Sequence, residues 1–281
     1  MPAKEITVLS TDGHRSKLRL HEAKGSGEGL LFLPALGVAA HKYDGFGQAM
    51  AAAGVTCAVH EWRGHGSSSL RASRRVDWGY RELLQQDLPA AVQALAGSGS
   101  APRWRVGGHS LGGQIAAMAA AQDPHRFPGL LLLATGVPHY TTFRGRQRWG
   151  VALFASMLPL LTRVVGHYPG ERLGFAAREA GRLMRDWAAS ARSGRYADYG
   201  GAPMEAALSR YDQPVLALRL SRDWLVPSDS LEALLAKLGR GPHQRETLDD
   251  ARLGTTADHF RWMRTPAAVA ARIADWMRLS P

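Results

Sequence analysis

The stretch VGGHSLGGQ (residues 106–114) places four glycines around one serine, and it limits the possible folds more than any other part of the chain. It follows the run RWRV and leads into the alanine-rich segment QIAAMAAAQ. Glycine loses more backbone entropy on folding than other residues, so it persists where a side chain would not fit. Residues 108–112 match G-x-S-x-G, the pattern of a serine held in a strained turn between a strand and a helix. The stretch therefore predicts a nucleophile elbow with Ser110 at its tip, and the Leu111 N–H as a donor to a developing oxyanion.

Short apolar runs alternate with segments of helical periodicity along most of the chain. This alternation predicts an α/β fold whose sheet is mostly parallel and carries helices on both faces. At the N-terminus, two runs instead flank the turn dipeptide Asp12-Gly13, which indicates a hairpin. The eight predicted strands are 6–11, 16–23, 29–35, 55–62, 103–109, 129–135, 214–221 and 244–249. The predicted helices are 43–53, 80–95 (with a fresh start at Asp87, before Pro89), 113–122, 228–238 and 266–279.

One interval breaks this alternation. Nearly 80 residues separate the strand that ends near Thr135 from the strand that starts at Pro214. Their pattern is helical, and the interval is far too long for an ordinary connection. We predict an inserted helical cap at residues 137–208, over the carboxyl edge of a sheet formed by residues 1–136 and 209–281. An independent domain is the alternative, but so short a segment needs a partner to bury its apolar stripe.

The same interval holds a segment that could be mistaken for a membrane span. Residues 149–161, WGVALFASMLPLL, are 13 uncharged residues that include Pro159. A spanning helix needs about 20 apolar residues, so we expect a buried or interfacial helix. The N-terminus has no secretory signal pattern, and the single Cys57 fits a reducing compartment. The expected location is cytoplasmic.

The chain carries a formal net charge of +11, from 35 basic and 24 acidic residues. Its arginines are scattered, without zinc-finger spacing, an RNP-like strand or a continuous basic helix, so we expect no nucleic-acid partner. Residues 144–195 hold ten arginines against three acidic residues. This segment could attract anionic substrates or lipid head groups and allow a weak membrane-surface contact, or it could be a solvated positive face.

A serine hydroxyl becomes a good nucleophile only when a histidine accepts its proton and a carboxylate orients that histidine. In the chain order Ser, Asp, His, the acid follows a later strand and the histidine a still later one. Asp223 comes directly after the strand 214–221, and His259 comes after the last strand. We therefore predict the triad Ser110, Asp223 and His259.

Other carboxylates and histidines compete for these roles. Asp249 and Asp250 are the strongest rivals of Asp223 because they lie near the end of the last strand, and Asp258 adjoins the histidine. Asp212 precedes its strand and Asp229 lies at a helix start, so both are weaker. Seven other histidines are weaker candidates than His259 and are expected to be structural or to lie on the surface: His14, His21, His65, His109, His139, His167 and His243.

These motifs together resemble the α/β-hydrolase superfamily. The chain is most similar to bacterial serine aminopeptidase-like and monoglyceride-lipase-like hydrolases. The matching residues are GHSLGG at 108–113, Asp-x-x-Val-Pro at 223–227, Asp-His-Phe at 258–260, and EWRGHGSS at 61–68, where the family usually has Asp in place of Glu61. The resemblance implies an α/β-hydrolase fold.

One position departs from the family pattern. The third strand of the family usually ends in His-Gly, and here it ends in Pro34-Ala35. The resemblance then implies Leu36 as the second backbone donor of the oxyanion hole, beside Leu111. Ala35 and Gly37 are the alternatives.

The expected chemistry is acyl transfer to water, with no metal or organic cofactor. Our first choice of substrate is a carboxylic ester with a hydrophobic acyl group, because the interval 151–161 is apolar; packing of the cap explains that run equally well. The alternatives within catalysis are an N-terminal peptidase, a thioesterase, a carbon–carbon bond hydrolase and an acyltransferase. Outside catalysis, the same fold could serve as a binding protein. The oligomeric state is left open.

Overall fold

An eight-stranded sheet forms the centre of the computed structural model, which describes residues 2–101, 103–201 and 203–280. The strand order is β1-β2-β4-β3-β5-β6-β9-β10, and every pair from β4 through β10 is parallel. The antiparallel pairs β1–β2 and β2–β4 confirm the predicted N-terminal hairpin. The strands are β1 Lys4–Leu9, β2 Arg15–His21, β3 Glu28–Leu33, β4 Thr56–Val59, β5 Arg103–His109, β6 Leu130–Leu133, β9 Val215–Leu220 and β10 His243–Leu248.

Helices cover both faces of this sheet, as predicted. Side chains of β3 alternate between two apolar clusters: Leu31 and Leu33 join one, Leu30 and Phe32 the other. The helices that contribute to the first cluster include α3 Leu88–Ser98, α4 Leu111–Gln122, α8 Met204–Ser209 and α9 Ser228–Leu235. The second cluster contains side chains of α1 Asp44–Ala52, α10 Asp250–Leu253 and α11 Ala267–Leu279. The central strands β3, β6 and β9 are thus buried on both sides, which explains their continuous apolar runs.

The predicted fresh helix start at Asp87 is wrong. A short helix, α2 Tyr80–Glu82, continues through a wider turn at Leu83–Asp87 into α3 without a break. In that turn the Leu88 N–H bonds to the carbonyl of Leu83, five residues earlier. Pro89 has no N–H, and its ring would clash with a carbonyl in a regular helix. The wider turn accommodates the proline without ending the helix.

The segment between β6 and β9 is not helical throughout, contrary to the prediction. It contains α5 Gly145–Val165, α6 Gly170–Leu173 and α7 Gly181–Ser193, but also two short strands that pair antiparallel, β7 His167–Pro169 and β8 Arg178–Ala180. Strands of three residues are too short to give a sequence period, so the pattern did not reveal them. Helices α5 and α7 pack on each other, and α8 packs on α4. We call residues 137–208 the insertion; its boundaries stay a prediction.

Helix α5 is longer than the apolar run that predicted it. Its 21 residues have a mean hydropathy of 1.3 over the best 18-residue window, so by length and composition alone it could cross a membrane. One side of it, however, carries the buried residues Ala155, Leu158 and Thr162. Helix α5 is therefore a packed helix of the insertion with its other side open.

Candidate active site

Ser110 lies in the sharp turn between β5 and α4, with φ 57° and ψ −121°. Its N–H donates to the Leu133 carbonyl at 3.0 Å, which fixes the turn to β6. The glycines around it are required by close packing. A Cβ on Gly112 would lie 2.0 Å from the Leu33 carbonyl oxygen, and one on Gly108 would lie 2.4 Å from the Gly112 backbone. The elbow thus packs backbone against backbone on the end of β3.

Asp223 and His259 meet at the same edge of the sheet. Their Oδ2 and Nδ1 atoms are 2.7 Å apart, and both side chains are almost completely buried. The second carboxylate oxygen accepts the N–H groups of Leu225 at 2.9 Å and Val226 at 3.1 Å. These two backbone donors, together with His259, fix the orientation of the Asp223 carboxylate. It therefore holds His259 with the Nδ1–H directed at the carboxylate.

The rival carboxylates are engaged elsewhere. Asp249 accepts the Arg252 N–H at the start of α10. Asp258 accepts the N–H groups of Phe260 and Arg261. Asp250 accepts the Ala257 N–H at 2.8 Å and pairs with Arg222. The Arg222 N–H in turn donates to the Ala257 carbonyl. Asp250 therefore links the loop that carries Asp223 to the loop that carries His259, through Arg222 and Ala257.

His109 connects the elbow to His259. Its ring centroid lies 4.6 Å from that of His259, and its Nδ1 lies 2.9 Å from the Tyr43 hydroxyl. Complete burial, together with the neighbouring His259, lowers the pKa of His109 well below its ordinary value. A neutral His109 can accept a hydrogen bond at Nδ1 without adding charge beside His259.

Tyr43 was not identified from the sequence. Its hydroxyl oxygen accepts the Ala35 N–H at 2.9 Å, which leaves the hydroxyl hydrogen free to donate to His109. One fully buried phenol therefore joins the loop after β3 to the residue next to Ser110. An aromatic residue at a helix start resembles any other core residue in a sequence, so no signal pointed to it.

The backbone around Leu36 decides which N–H groups can serve an oxyanion. The Ala35 N–H is used by Tyr43, so Ala35 is not free for this role. A turn closed by the bond from the Val38 N–H to the Ala35 carbonyl places Leu36 and Gly37 at its centre, with Gly37 at φ +77°. Neither central N–H is used in that turn bond. Leu111 is the first residue of α4, so its N–H has no partner within its own helix.

The EWRGHGSS segment has a structural role here. Glu61, which replaces the usual Asp, accepts the N–H groups of Ala40 and Ser67. Arg63 is buried and binds both carboxylate oxygens of Asp87, at 2.6 and 2.8 Å. Hydrogen bonds to His14 and Arg63 outweigh the burial of Asp87 and lower the pKa of its carboxyl to about 2. This network joins the N-terminal hairpin, the loop after β4 and the wider turn at Leu83–Asp87.

The other predicted histidines lie apart from the Asp223–His259 pair. His14 binds Asp87 and His21 binds Asp44, as expected for structural residues. His65 pairs with Glu179 of the insertion at 3.0 Å. Among the residues that the structure describes, no group of three or more His, Cys, Asp or Glu side chains could hold a metal ion. The groove of about 970 Å³ lined by residues such as Arg103 and Trp104 lies at the opposite end of β5 from Ser110.

Solved structures with the same fold cover the whole chain. The α/β hydrolase GrgF from Penicillium sp. sh18 is 17% identical, with a TM-score of 0.69 over 100% of this chain and 99% of that one. The esterase domain of a Rhodothermus marinus protein is 18% identical, with a TM-score of 0.66 over 99% of each chain. A thermophilic esterase from Thermogutta terrifontis, with malate bound, is 18% identical, with a TM-score of 0.67 over 100% of this chain and 99% of that one.

Sequence comparison identifies the family more directly. No curated protein sequence matches the chain. The family model described as serine aminopeptidase, S33, matches residues 29–252, which include the elbow and Asp223. The fold predicted from the motifs is thereby confirmed. This chain is an α/β hydrolase and belongs to the serine aminopeptidase S33 family.

Proposed function

We propose that this hydrolase cleaves carboxylic esters with an apolar acyl group, using Ser110, His259 and Asp223. The observation that carries the proposal is the buried 2.7 Å bond between His259 and Asp223, at the same sheet edge as the strained turn of Ser110. A histidine oriented by a carboxylate in this way serves acyl transfer.

The reaction proceeds in two halves. The Ser110 Oγ attacks the ester carbonyl while His259 takes its proton, and the negative oxygen of the tetrahedral intermediate is stabilised by the N–H groups of Leu111 and Leu36. The intermediate then collapses, and the alcohol leaves with the proton from His259. Water next attacks the acyl-enzyme as His259 removes a proton from it. The acid is released, and the proton on His259 returns to the Ser110 Oγ.

The insertion supports the choice of an apolar acyl group. A Cβ on Gly37 would lie within 3.0 Å of the backbone of Ala176 and Ala177, so the insertion reaches the turn that carries Leu36. Beside that contact, the rings of Phe175 and Phe154 pack edge to face, and both side chains are partly exposed. Partly exposed aromatic side chains close to the turn of Leu36 suit a hydrocarbon chain.

A peptidase acting on N-terminal residues is the second candidate, because the matching family is described as a serine aminopeptidase. Such an enzyme needs a free carboxylate to bind the substrate ammonium group. Most acidic side chains of the insertion are already engaged: Glu179 with His65, Asp186 with the Tyr80 N–H, Asp198 with the Met204 N–H, and Glu205 with Lys237. This arrangement favours an ester over a peptide.

Hydrolysis of p-nitrophenyl esters from acetyl to palmitoyl tests the proposal. We expect the wild type to turn over one range of chain lengths and Ser110→Ala to lose this activity. Aminoacyl p-nitroanilides and acyl thioesters, assayed in parallel, test the peptidase and thioesterase alternatives. Turnover of an anilide but of no ester would favour the peptidase over the proposed esterase. Equal ester turnover by Ser110→Ala and the wild type would exclude Ser110 as the nucleophile.

A further inference from the structure

Helix α5 presents a continuous stripe of large apolar side chains to solvent. Its members are between 59% and 68% exposed: Trp149, Leu153, Met157, Leu160 and Val164. Each helical residue turns the chain by about 100°, so these five positions project within an arc of about 80° and extend over about 22 Å. Soluble monomers rarely leave so long an apolar surface in water unless it contacts a partner.

The other side of α5 fixes the direction in which this stripe faces. Ala155, Leu158 and Thr162 are buried against the rest of the molecule. Arg192 on α7 donates to the Ala155 carbonyl at 2.8 Å, and Arg74 donates to the Val164 carbonyl. The helix is therefore held on its buried side along its length. The exposed stripe cannot turn inward without breaking these contacts.

The charged side chains on α5 itself have one sign. Helix α5 contains no Asp or Glu, while Arg146 and Arg163 lie exposed near its two ends. Neither arginine has an ion-pair partner among the residues in the described ranges. Arg148 lies over the rings of Tyr140 and Trp149, which places a third cation beside the start of the stripe.

We propose that the exposed face of α5 is a docking surface for an anionic lipid bilayer, with the helix lying parallel to the membrane plane. Aromatic and aliphatic side chains on one face, flanked by arginines, are typical of interfacial helices. The apolar stripe enters the boundary between head groups and acyl chains. The arginines bind the lipid phosphates, since the anionic surface attracts each basic side chain near it.

The observations favour this partner over the two other arrangements of an apolar helix. A spanning arrangement would require α5 to leave α7 and to expose the backbone groups that Arg192 and Arg74 now bind. A dimer formed through two copies of the stripe would bring only cations together, because α5 carries no carboxylate. At low ionic strength, like charges at a self-complementary interface oppose association.

Co-sedimentation with lipid vesicles tests the proposal without any catalytic turnover. We expect the protein to pellet with vesicles of phosphatidylglycerol and phosphatidylcholine, and much less with phosphatidylcholine alone. Added NaCl should weaken the binding to the anionic vesicles because it screens the arginines. Ser110→Ala should bind as the wild type does, so a failure of this proposal is distinguishable from a failure of the proposed ester hydrolysis.

Substitutions on the stripe and on its charges separate the two contributions. The double variant Leu153→Ser/Leu160→Ser should lower the partition coefficient at least about tenfold, since two buried leucines are lost from the interface. Arg146→Gln should lower binding to anionic vesicles about fivefold and leave binding to neutral vesicles unchanged. The matched control is Leu9→Ser, which removes a leucine that is 58% exposed on β1. It should bind as the wild type does.

A fluorescent label reports the depth of the stripe. Cys57 is the only cysteine, and complete burial raises the pKa of its thiol, so it reacts poorly with thiol reagents. Met157→Cys can therefore be labelled alone with an environment-sensitive dye. We expect a blue shift with anionic vesicles for this variant and none for labelled Leu9→Cys.

Two results would overturn the proposal. One is a wild type that stays in the supernatant with anionic vesicles, and the other is a double variant that pellets as the wild type does. Analytical ultracentrifugation then identifies the alternative partner. A dimer that the double variant dissociates, with no vesicle binding, would assign the stripe to a second copy of the chain.

Discussion

The backbone of Ser110 occupies a conformation that residues with a side chain rarely adopt, at a cost of about 1–3 kcal/mol. Packing of Gly108 and Gly112 on the end of β3, and the bond from the Ser110 N–H to the Leu133 carbonyl, hold it there. The strained backbone of Ser110 is thus held by contacts of Gly108 and Gly112 that are too close to leave room for a Cβ atom. The backbone of Ser110 is therefore fixed in this turn.

Asp223→Asn tests whether this carboxylate orients His259. An amide can donate to Nδ1 and stabilise the wrong tautomer, so we expect kcat to fall by about 10³–10⁴ with the fold intact. Asp249→Asn is the matched control, because an amide oxygen caps α10 as well as a carboxylate does. Ester hydrolysis by the two variants is the measurement. A normal rate in Asp223→Asn together with a loss in Asp249→Asn would reverse the assignment.

Tyr43→Phe tests the link between the Leu36 turn and the elbow. The variant leaves the buried Ala35 N–H without an acceptor, which should lower the free energy of unfolding by about 1–3 kcal/mol. We also expect kcat to fall while KM changes little, because the turn that carries the proposed oxyanion donor loses its anchor. Tyr140→Phe, which removes a hydroxyl from a partly exposed ring, is the control. Denaturant melts and steady-state kinetics on both variants decide the question.

At the residue scale, the sequence predicted those site residues that lie in a short motif or directly follow a predicted strand. Ser110 was identified by G-x-S-x-G, and Asp223 and His259 by their order after strands; the structure brings the last two into contact. Tyr43 was missed because its role depends on two neighbours, Ala35 and His109, that are distant in sequence. No spacing rule connects a phenol to partners brought together only by the fold.

At the scale of elements, a glycine in the elbow and a glycine in an ordinary helix respond oppositely to the same change. Gly112→Ala places a Cβ 2.0 Å from a carbonyl oxygen, so we expect loss of activity and a large fall in the melting temperature. Gly97→Ala in α3 meets nothing within 4 Å, so it should stabilise the protein by about 0.5–1 kcal/mol. Thermal melts of the two variants test this contrast. Equal effects of the two substitutions would contradict the packing account of the elbow.

The elements themselves were predictable where their patterns were long. All eight predicted strands of the sheet overlap the observed ones, and several were recognised from the continuous apolar runs that strands buried on both faces leave. The wider turn at Leu83–Asp87 and the pair β7–β8 were not predicted. The wider turn accommodates Pro89, and the pair β7–β8 packs beside α5 and α7. Short segments decided by packing leave no period in the sequence.

At the scale of the whole molecule, a buried ion pair joins the insertion to the sheet. His65 in the loop after β4 contacts Glu179 in β8 at 3.0 Å, with the glutamate almost fully buried. Burial opposes the charge on His65, but the hydrogen bond and charge of Glu179 outweigh it and raise the pKa of His65. The folded protein therefore retains this proton at a pH where the unfolded chain has lost it.

The raised pKa of His65 determines how the free energy of unfolding depends on pH. The contribution of His65 is complete below about pH 6.5 and is lost as the pH rises through the raised pKa. We expect faster hydrogen exchange in β8 and a lower melting temperature at pH 8.5 than at pH 6.5. Burial also raises the pKa of Asp186, to about 6, so stability falls with rising pH for this group too, but at lower pH. A comparison between pH 6.5 and pH 8.5 therefore separates the effect of His65 from that of Asp186.

His65→Gln should remove most of that dependence. His125→Gln, at an exposed position, should keep it. A pH dependence that survives in His65→Gln would mean that another group joins the insertion to the sheet. The pair itself was not predictable, because residues 65 and 179 share no motif.

The stripe on α5 also governs how the protein behaves in plain buffer. A net charge of +11 repels copies from one another at low ionic strength. At about 0.1 M salt the screening length is only about 10 Å, and repulsion no longer protects an apolar surface that extends over about 22 Å. Concentrated stocks should therefore remain clear at low salt and turn turbid as salt is added. Colloidal stability, rather than unfolding, then sets the shelf life of this protein.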